Sequence, residues 1–224
     1  MMDVSLIKHT PEPEQTVAAA ARLCYSSDQV EVLLQDMTTS RAQGLIHKLV
    51  EMRHFSPFEH ASFTFGVSGV SRSLSHQLVR HRIASYSQQS QRYVSLQNVP
   101  VVVPPSISRD PESLTIFLQA VKHIEQAYQQ LLQKVPAEDA RYVLPNACQT
   151  NLVVTMNARS LHNFFSLRCC NRAQWEIREL AWQMLRLVRG VAPSLFQGAG
   201  PGCLTAGGCQ EGAMGCGQPP VDQA

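Results

Sequence analysis

The sequence predicts one domain of mixed α/β (α+β) class, a central sheet flanked by helices over residues 1–197, followed by a flexible Gly/Cys-rich tail over 198–224. Three observations carry this. The length, 224 residues, suits one ordinary domain of roughly 100–250 residues. Apolar residues make up 44% and charged residues 16%, too apolar for a disordered chain, while no segment approaches the roughly 20 apolar residues of a membrane span. Helical and strand periodicities mix without strict alternation and without an internal repeat.

Residues 13–24 and 41–53 read as amphipathic helices. Val17, Ala20, Ala21 and Cys24 form one apolar row, and Leu45, Ile46, Leu49, Val50 and Met52 form the other, so both suit core packing. Ser56-Pro57-Phe58-Glu59 has the form of a capping box with proline at the first helical position. Phe63, Phe65 and Val67 then alternate with Ser62, Thr64 and Gly66, so a turn leading into a strand is expected. Leu74, Leu78 and Val79 suggest a helix ending near Arg80 to Arg82. Residues 84–93 are polar and lack apolar periodicity, which predicts a loop at the surface or lining a cleft.

Residues 99–105 read as a proline-limited extended or edge segment, and Asp110-Pro111-Glu112 starts a long helix. Its stripe of Leu114, Phe117, Leu118, Val121, Ile124, Tyr128, Leu131 and Leu132 is expected to bury one face. A short helix over 137–144 is stopped by Pro145. Leu152, Val154 and Met156 alternate with Asn151, Val153, Thr155 and Asn157, a strand ending at Asn157. Ser160 can cap a helix through Phe165, and residues 173–189 make a last amphipathic helix with Trp175, Trp182, Leu185 and Val188.

The formal net charge is only +2, which argues against a basic nucleic-acid-binding domain. The sum hides a pattern. No acid lies between Glu59 and Asp110, a stretch holding Arg72, His76, Arg80, His81, Arg82, Arg92 and Arg109. A second acid-free stretch, from Arg141 to Trp175, holds Arg141, Arg159, Arg168 and Arg172. Neither stretch contains lysine, and the planar guanidinium fork suits bidentate contacts to phosphate and carboxylate. Any one arginine is better explained by an acid elsewhere in the fold or by a solvated surface position. The whole set, without local acids, points to an anionic ligand held by two chain segments.

The N-terminus carries Asp3 rather than a basic run and lacks a long apolar segment, so a cytoplasmic chain is expected. The cysteines number seven, an odd count that suits free thiols in a reducing compartment. From Gly198 onward the composition shifts to glycine and cysteine. Cys203, Cys209 and Cys216 match no common zinc pattern of close pairs, so no metal site is expected. No glycine-rich dinucleotide fingerprint, P-loop, G-x-S-x-G elbow or H-E-x-x-H occurs, so a nucleotide cofactor would have to be held by arginines.

What remains is Arg80-His81-Arg82, followed after seven residues by Ser90. This Arg80-to-Ser90 block resembles the R-H-R-x7-S signature of the flavin-dependent thymidylate synthases. Ser56-Pro57-Phe58-Glu59-His60, Ala140-Arg141-Tyr142-Val143-Leu144-Pro145, Asn157-Ala158-Arg159-Ser160-Leu161 and Leu167-Arg168 with Ala173-Gln174-Trp175-Glu176-Ile177 resemble the family's other blocks, in the same order. The resemblance covers most of residues 13–190. It implies a homotetramer, with sites between subunits, that makes dTMP from dUMP with bound FAD, NADPH as reductant and 5,10-methylenetetrahydrofolate as carbon donor. No nucleic acid and no membrane enter as partners.

Carried over position by position, the resemblance implies that Ser56, Arg80, His81, Arg82, Gln88, Asn157, Ala158, Arg159 and Asn163 hold FAD. It likewise implies dUMP binding by Gln77, Leu78, Val79, Arg80, Gln88, Gln89, Ser90, Gln91, Arg92, Arg141 and Arg168. Arg168 is the expected catalytic residue: a guanidinium beside the uracil would stabilise negative charge developing at N3 and O2. Ser90 has no base assigned to it in sequence and is read as a binder. Cys148, Cys169 and Cys170 are read as bystanders, since the family delivers hydride to the uracil ring and needs no protein nucleophile. His54 is placed near the flavin by the resemblance and is otherwise a polar helix terminus. Many relatives carry Glu where Gln88 stands, so an acid/base role there is in doubt.

Overall fold

Period-two alternation marks β2 (Ser62–Ser71) and β4 (Gln149–Asn157), which with β1 (Asp3–His9) and β3 (Ser85–Gln88) form a four-stranded sheet in the order β1-β2-β4-β3. The computed structural model describes residues 2–96, 98–205, 208–209 and 211–218. β1 and β2 run antiparallel, with Thr10 N–H donating to the Ser62 carbonyl at 2.9 Å. So do β2 and β4, where the Thr64 and Thr155 hydroxyls meet at 2.9 Å and Gly69 N–H donates to Asn151 Oδ1 at 3.2 Å.

The helices follow in chain order. α1 (Pro13–Leu23), α2 (Val30–Asp36) and α3 (Thr39–Glu51) precede β2, and α4 (Arg72–Leu78) follows it. α5 (Pro105–Ser108), α6 (Pro111–Leu132) and α7 (Ala137–Ala140) precede β4. α8 (Ala158–Arg168), α9 (Trp175–Val191) and α10 (Gly202–Thr205) complete the set. Among the described residues no helix is long and apolar enough to cross a membrane.

The chain divides into two compact units. The first is built mainly on Val67–Arg80 and Ser87–Leu152. Its core is small: Val99, Tyr128, Ala140 and Cys148 are buried, with Leu96, Val101, Leu131, Leu132, Val143 and Leu144 packed against them. α6 starts as expected, Asp110 Oδ2 accepting from Ser113 N–H at 2.9 Å with Pro111 at the first helical position. The expected burial of its whole stripe is not seen. Of its residues only Tyr128 is enclosed, Leu118 is 49% exposed and the rest are half-buried. A helix of 22 residues runs about 33 Å at 1.5 Å per residue and outreaches so small a core.

The second unit, built on Val4–Gly66, His81–Tyr86 and the chain from Val153 onward, holds the larger core. Val17, Ala18 and Ala21 of α1, Ile46 and Leu49 of α3, and Leu161, Phe164 and Phe165 of α8 are buried. Phe196 stacks on His162 with centroids 5.4 Å apart and meets Phe63 edge-on at 5.3 Å. Each fully buried large apolar side chain contributes about 1.5–3 kcal/mol. α9 turns Ile177, Leu180, Ala181, Met184, Leu185 and Val188 inward and leaves Trp175 and Trp182 half-buried, so its core row is rotated from the one expected. Its start is capped by Gln174, whose side chain accepts from Glu176 and Ile177 N–H.

Several local expectations are corrected. Ser85–Gln88 is a strand rather than loop; as a sheet-edge element with alternating exposure it carries no apolar signal. β1 and α2 are likewise largely exposed, which is why periodicity did not mark them. Asn157 rather than Ser160 caps α8, its Oδ1 accepting from Ser160 N–H at 2.8 Å. Ser56 begins a 3-10 turn that has no side-chain cap, so the capping box does not form. α4 stops at Leu78, leaving Arg80 and Arg82 beyond it.

Candidate active site

In the first unit, the residues after β3 form a short arginine-held turn. Gln89 N–H donates to the Asn151 carbonyl at 2.9 Å, and Asn151 Nδ2 donates back to Gln89 Oε1 at 3.0 Å. Ser90 Oγ accepts from Arg92 N–H at 3.1 Å and its carbonyl accepts from Val94 N–H at 3.1 Å, which curls the backbone. Gln91 Nε2 reaches the Cys148 thiol at 3.4 Å and Gln88 Nε2 the Thr150 hydroxyl at 3.2 Å. Gln77 is half-buried, Leu78 fully buried and Val79 exposed, so Leu78 can offer a ligand its backbone alone. Arg80 lies exposed just beyond α4.

Three arginines border this turn. Arg92 pairs with Glu138, and Arg141 Nε donates to the carbonyl of that same Glu138 at 3.0 Å. Arg72 donates through one terminal nitrogen to the Gln89 carbonyl at 2.8 Å, while its buried Nε has no partner. Desolvation by burial lowers the Arg72 pKa, the Cys148 thiol opposes this, and the Arg141 charge adds to it. Of these three guanidinium groups only Arg92 meets a carboxylate, Arg72 and Arg141 donate to backbone carbonyls, and one buried donor has no acceptor. Arg72 belongs to the acid-free stretch and is not among the expected ligands; its signal is the orphaned Nε, which sequence does not show. Cys148 is buried, and desolvation holds its thiol above the usual range, which suits a bystander.

In the second unit, His81, Arg82, Ser56, Asn157, Ala158, Arg159, Asn163 and Arg168 come from the turn before β2, the segment after Arg80, and α8. Arg168, in the last turn of α8, donates Nε–H to His81 Nε2 at 3.0 Å. The His81 ring meets Phe164 edge-on at 5.0 Å, and its carbonyl accepts from the Tyr86 hydroxyl at 2.8 Å. Burial first, then the Arg168 charge, lowers the His81 pKa to about 4, so at neutral pH the ring is uncharged. Since Nε2 accepts, the neutral ring carries its proton on Nδ1. Burial also raises Tyr86 to about 12, keeping its hydroxyl a donor.

A cleft of about 510 Å³ opens beside α8, lined among others by Arg53, Phe55, Arg159, His162 and Asn163. That volume is within the range of small-molecule sites, about 300–1,000 Å³. Arg159 pairs with Glu59 at its rim. Burial lowers the His162 pKa, against the hydrogen bond of Nε2 to the Leu195 carbonyl at 2.7 Å. Ser56 and His54 are exposed, Ala158 is buried at the helix start, and none of the three lines the cleft. Arg53 does, and it holds a left-handed backbone at φ 55°.

Beyond Gly198, Ala199 and Pro201 are buried, α10 follows, and Arg172 pairs with Glu211. The remaining expected tail, 206–207, 210 and 219–224, lies outside the described residues. The cysteines carry no disulfide.

Comparison with known proteins then adds a family. A model described as thymidylate synthase complementing protein matches residues 5–194. The chain is 56% identical over 220 residues to the flavin-dependent thymidylate synthase of Geobacter sulfurreducens, covering 97% of this chain and 94% of that one. It is 49% identical over 232 residues to that of Clostridium tetani, covering 96% and 93%. Among solved structures it resembles the UMP/dUMP methylase PolB from Streptomyces cacaoi bound with 5-Br dUMP, with a TM-score of 0.74, 26% identity and coverage of 87% and 93%.

Proposed function

Because the chain belongs to the flavin-dependent thymidylate synthases, we propose that it methylates dUMP to dTMP with FAD, NADPH and 5,10-methylenetetrahydrofolate, as a cytoplasmic homotetramer. The observation that carries the substrate is the buried, unpartnered Arg72 Nε beside the turn 88–92. An orphaned buried donor is costly unless an acceptor completes it, and a phosphate dianion does so beside a turn bordered by Arg72, Arg92 and Arg141. Arg92 and Arg141 add charge, and Gln88, Gln89, Ser90 and Gln91 add amide and hydroxyl groups. We assign Arg72 to the same phosphate, and the backbone of Leu78 and Val79, with Gln77 and Arg80, to the nucleoside.

The second unit fits a flavin dinucleotide. Its cleft offers two guanidinium groups, Arg53 and Arg159, for pyrophosphate, the Asn163 amide for a hydrogen bond and the Phe55 and His162 rings for a flat group. His81, Arg82, Ser56, Asn157 and Ala158 complete the FAD set by family position. When bound, the reduced flavin supplies hydride. Arg168 stabilises negative charge on the uracil N3 and O2, and His81 orients it by accepting from Nε. The NADPH phosphates and the folate glutamate are anions, in keeping with the lysine-free arginine stretches. The half-exposed apolar stripe of α6 offers a face for subunit contact.

The visible absorption spectrum of the purified protein, then NADPH oxidation with and without dUMP, tests the reading. A flavin band with dUMP-dependent oxidation supports it. A colourless protein that takes up no added FAD overturns it.

A further inference from the structure

Cys203, Cys209 and Cys216 follow one another in a glycine-rich stretch whose spacing alone matches no close-pair zinc pattern. The fold brings a fourth cysteine to them. α10, which carries Cys203, lies on α8, close enough that a Cβ at Gly202 would be 3.7 Å from the Ser166 carbonyl oxygen. Cys170 follows α8 by two residues. The residues next to Cys170 tie down the rest of the tail. Asn171 Nδ2 donates to the Gln218 carbonyl at 2.9 Å, and Arg172 donates to the Glu211 carboxylate at 2.8 Å and the Met214 carbonyl at 2.6 Å.

Cys216 Sγ points to that same Gln218 carbonyl at 3.0 Å, and Cys209 Sγ is 3.3 Å from where a Cβ at Gly215 would stand. Gly208 and Gly217, flanking Cys209 and Cys216, take φ 142° and 67°, backbone shapes that only glycine adopts without strain. Cys203 thus rides on the helix packed against α8, while Cys209 and Cys216 sit in the segment tied to the residues beside Cys170, so four soft donors gather near the end of α8.

We propose that Cys170, Cys203, Cys209 and Cys216 form a tetrathiolate zinc site that fastens the tail to the end of α8, two residues beyond Arg168. Four soft sulfur donors and no open position make it structural rather than catalytic. Each thiol gives its proton to solvent as zinc binds, and nothing is oxidised or reduced. Among the described residues no three donors already stand as a ligating set, so the site closes on the ion, drawing the sulfurs to about 2.3 Å from it.

The test uses the reduced full-length chain, purified without chelator, with metal measured by plasma mass spectrometry and Co(II) titrated after zinc is stripped. About one zinc per chain, and cobalt bands of a tetrahedral tetrathiolate, are expected. Cys209→Ser with Cys216→Ser should abolish both, while Cys24→Ser, outside the cluster, should keep them. Flavin absorbance checks that each variant is folded, and the cobalt titration of the unaltered chain needs no variant. A reduced chain with no zinc and no cobalt bands overturns the site, as does isolation of the native chain with disulfides among these four cysteines.

Discussion

Arg168 donates its Nε–H to His81 Nε2 at 3.0 Å across 87 positions of sequence. The bond needs His81 uncharged, because a protonated ring has no acceptor left at Nε2 and would oppose the guanidinium. The same contact keeps the ring uncharged, since burial and the Arg168 charge both lower its pKa to about 4. Arginine and histidine thus hold each other in one protonation state.

A pH dependence of stability follows. The folded-state pKa of His81 is depressed from 6.5 to about 4, so over that window the unfolded chain binds more protons and stability rises with pH. The contribution is full above about 6.5 and is lost as pH falls through about 4. Thermal melts from pH 4 to 7 should show a steeper acid loss for the native chain than for His81→Gln, whose amide oxygen can still accept from Arg168. Parallel curves would remove His81 as the source.

Arg168→Ala should leave FAD bound and lower dTMP formation by about 10²–10³-fold, the usual loss when a preorganised charge donor is removed. Arg168→Lys should recover little, because an ammonium lacks the planar fork. The readouts are flavin absorbance after gel filtration and dTMP formed in single turnover. Normal turnover in Arg168→Ala would sink the catalytic assignment.

How much of this was legible depended on whether the signal was local. β4 matches the expected strand over 149–157 because its alternation is strong and Asn157 ends it. β1 and β3 were invisible because edge strands expose both faces and need no apolar code. The arginine-histidine motif and the turn to Ser90 lie within one short segment and could be read directly. The pairing of His81 with Arg168 and the unpartnered Arg72 Nε arise only when distant segments fold together.

Ser90→Ala removes the acceptor for Arg92 N–H and should loosen the turn. A hydrogen bond of this kind is worth about 0.5–1.5 kcal/mol, so KM for dUMP should rise about two- to tenfold with kcat little changed. Complete inactivity at unchanged dUMP affinity would instead point to Ser90 as a nucleophile.

Arg72→Gln should weaken dUMP binding about ten- to hundredfold, as expected for a charged hydrogen bond worth about 1.5–3 kcal/mol, and leave flavin uptake intact. Isothermal titration with dUMP and with uncharged deoxyuridine separates the phosphate term. Equal losses for both ligands would show that Arg72 only shapes the turn.

Arg53 ends α3 in a left-handed turn, with Arg53 N–H donating to the Val50 carbonyl at 3.0 Å and His54 N–H to the Leu49 carbonyl at 2.8 Å. Glycine is the residue that such a helix end normally takes. A non-glycine residue at φ 55° costs about 1 kcal/mol or more, a cost that persists where the side chain is used. Here the side chain lines the cleft assigned to the flavin. Arg53→Gly should therefore raise the apo-protein Tm by a few degrees, as about 1 kcal/mol does for a chain of this size, while weakening FAD retention. The two effects have opposite signs, so differential scanning of apo- and FAD-loaded protein distinguishes them. A variant that is less stable without FAD, or binds FAD as tightly as before, would show that the strained turn does not serve the cofactor.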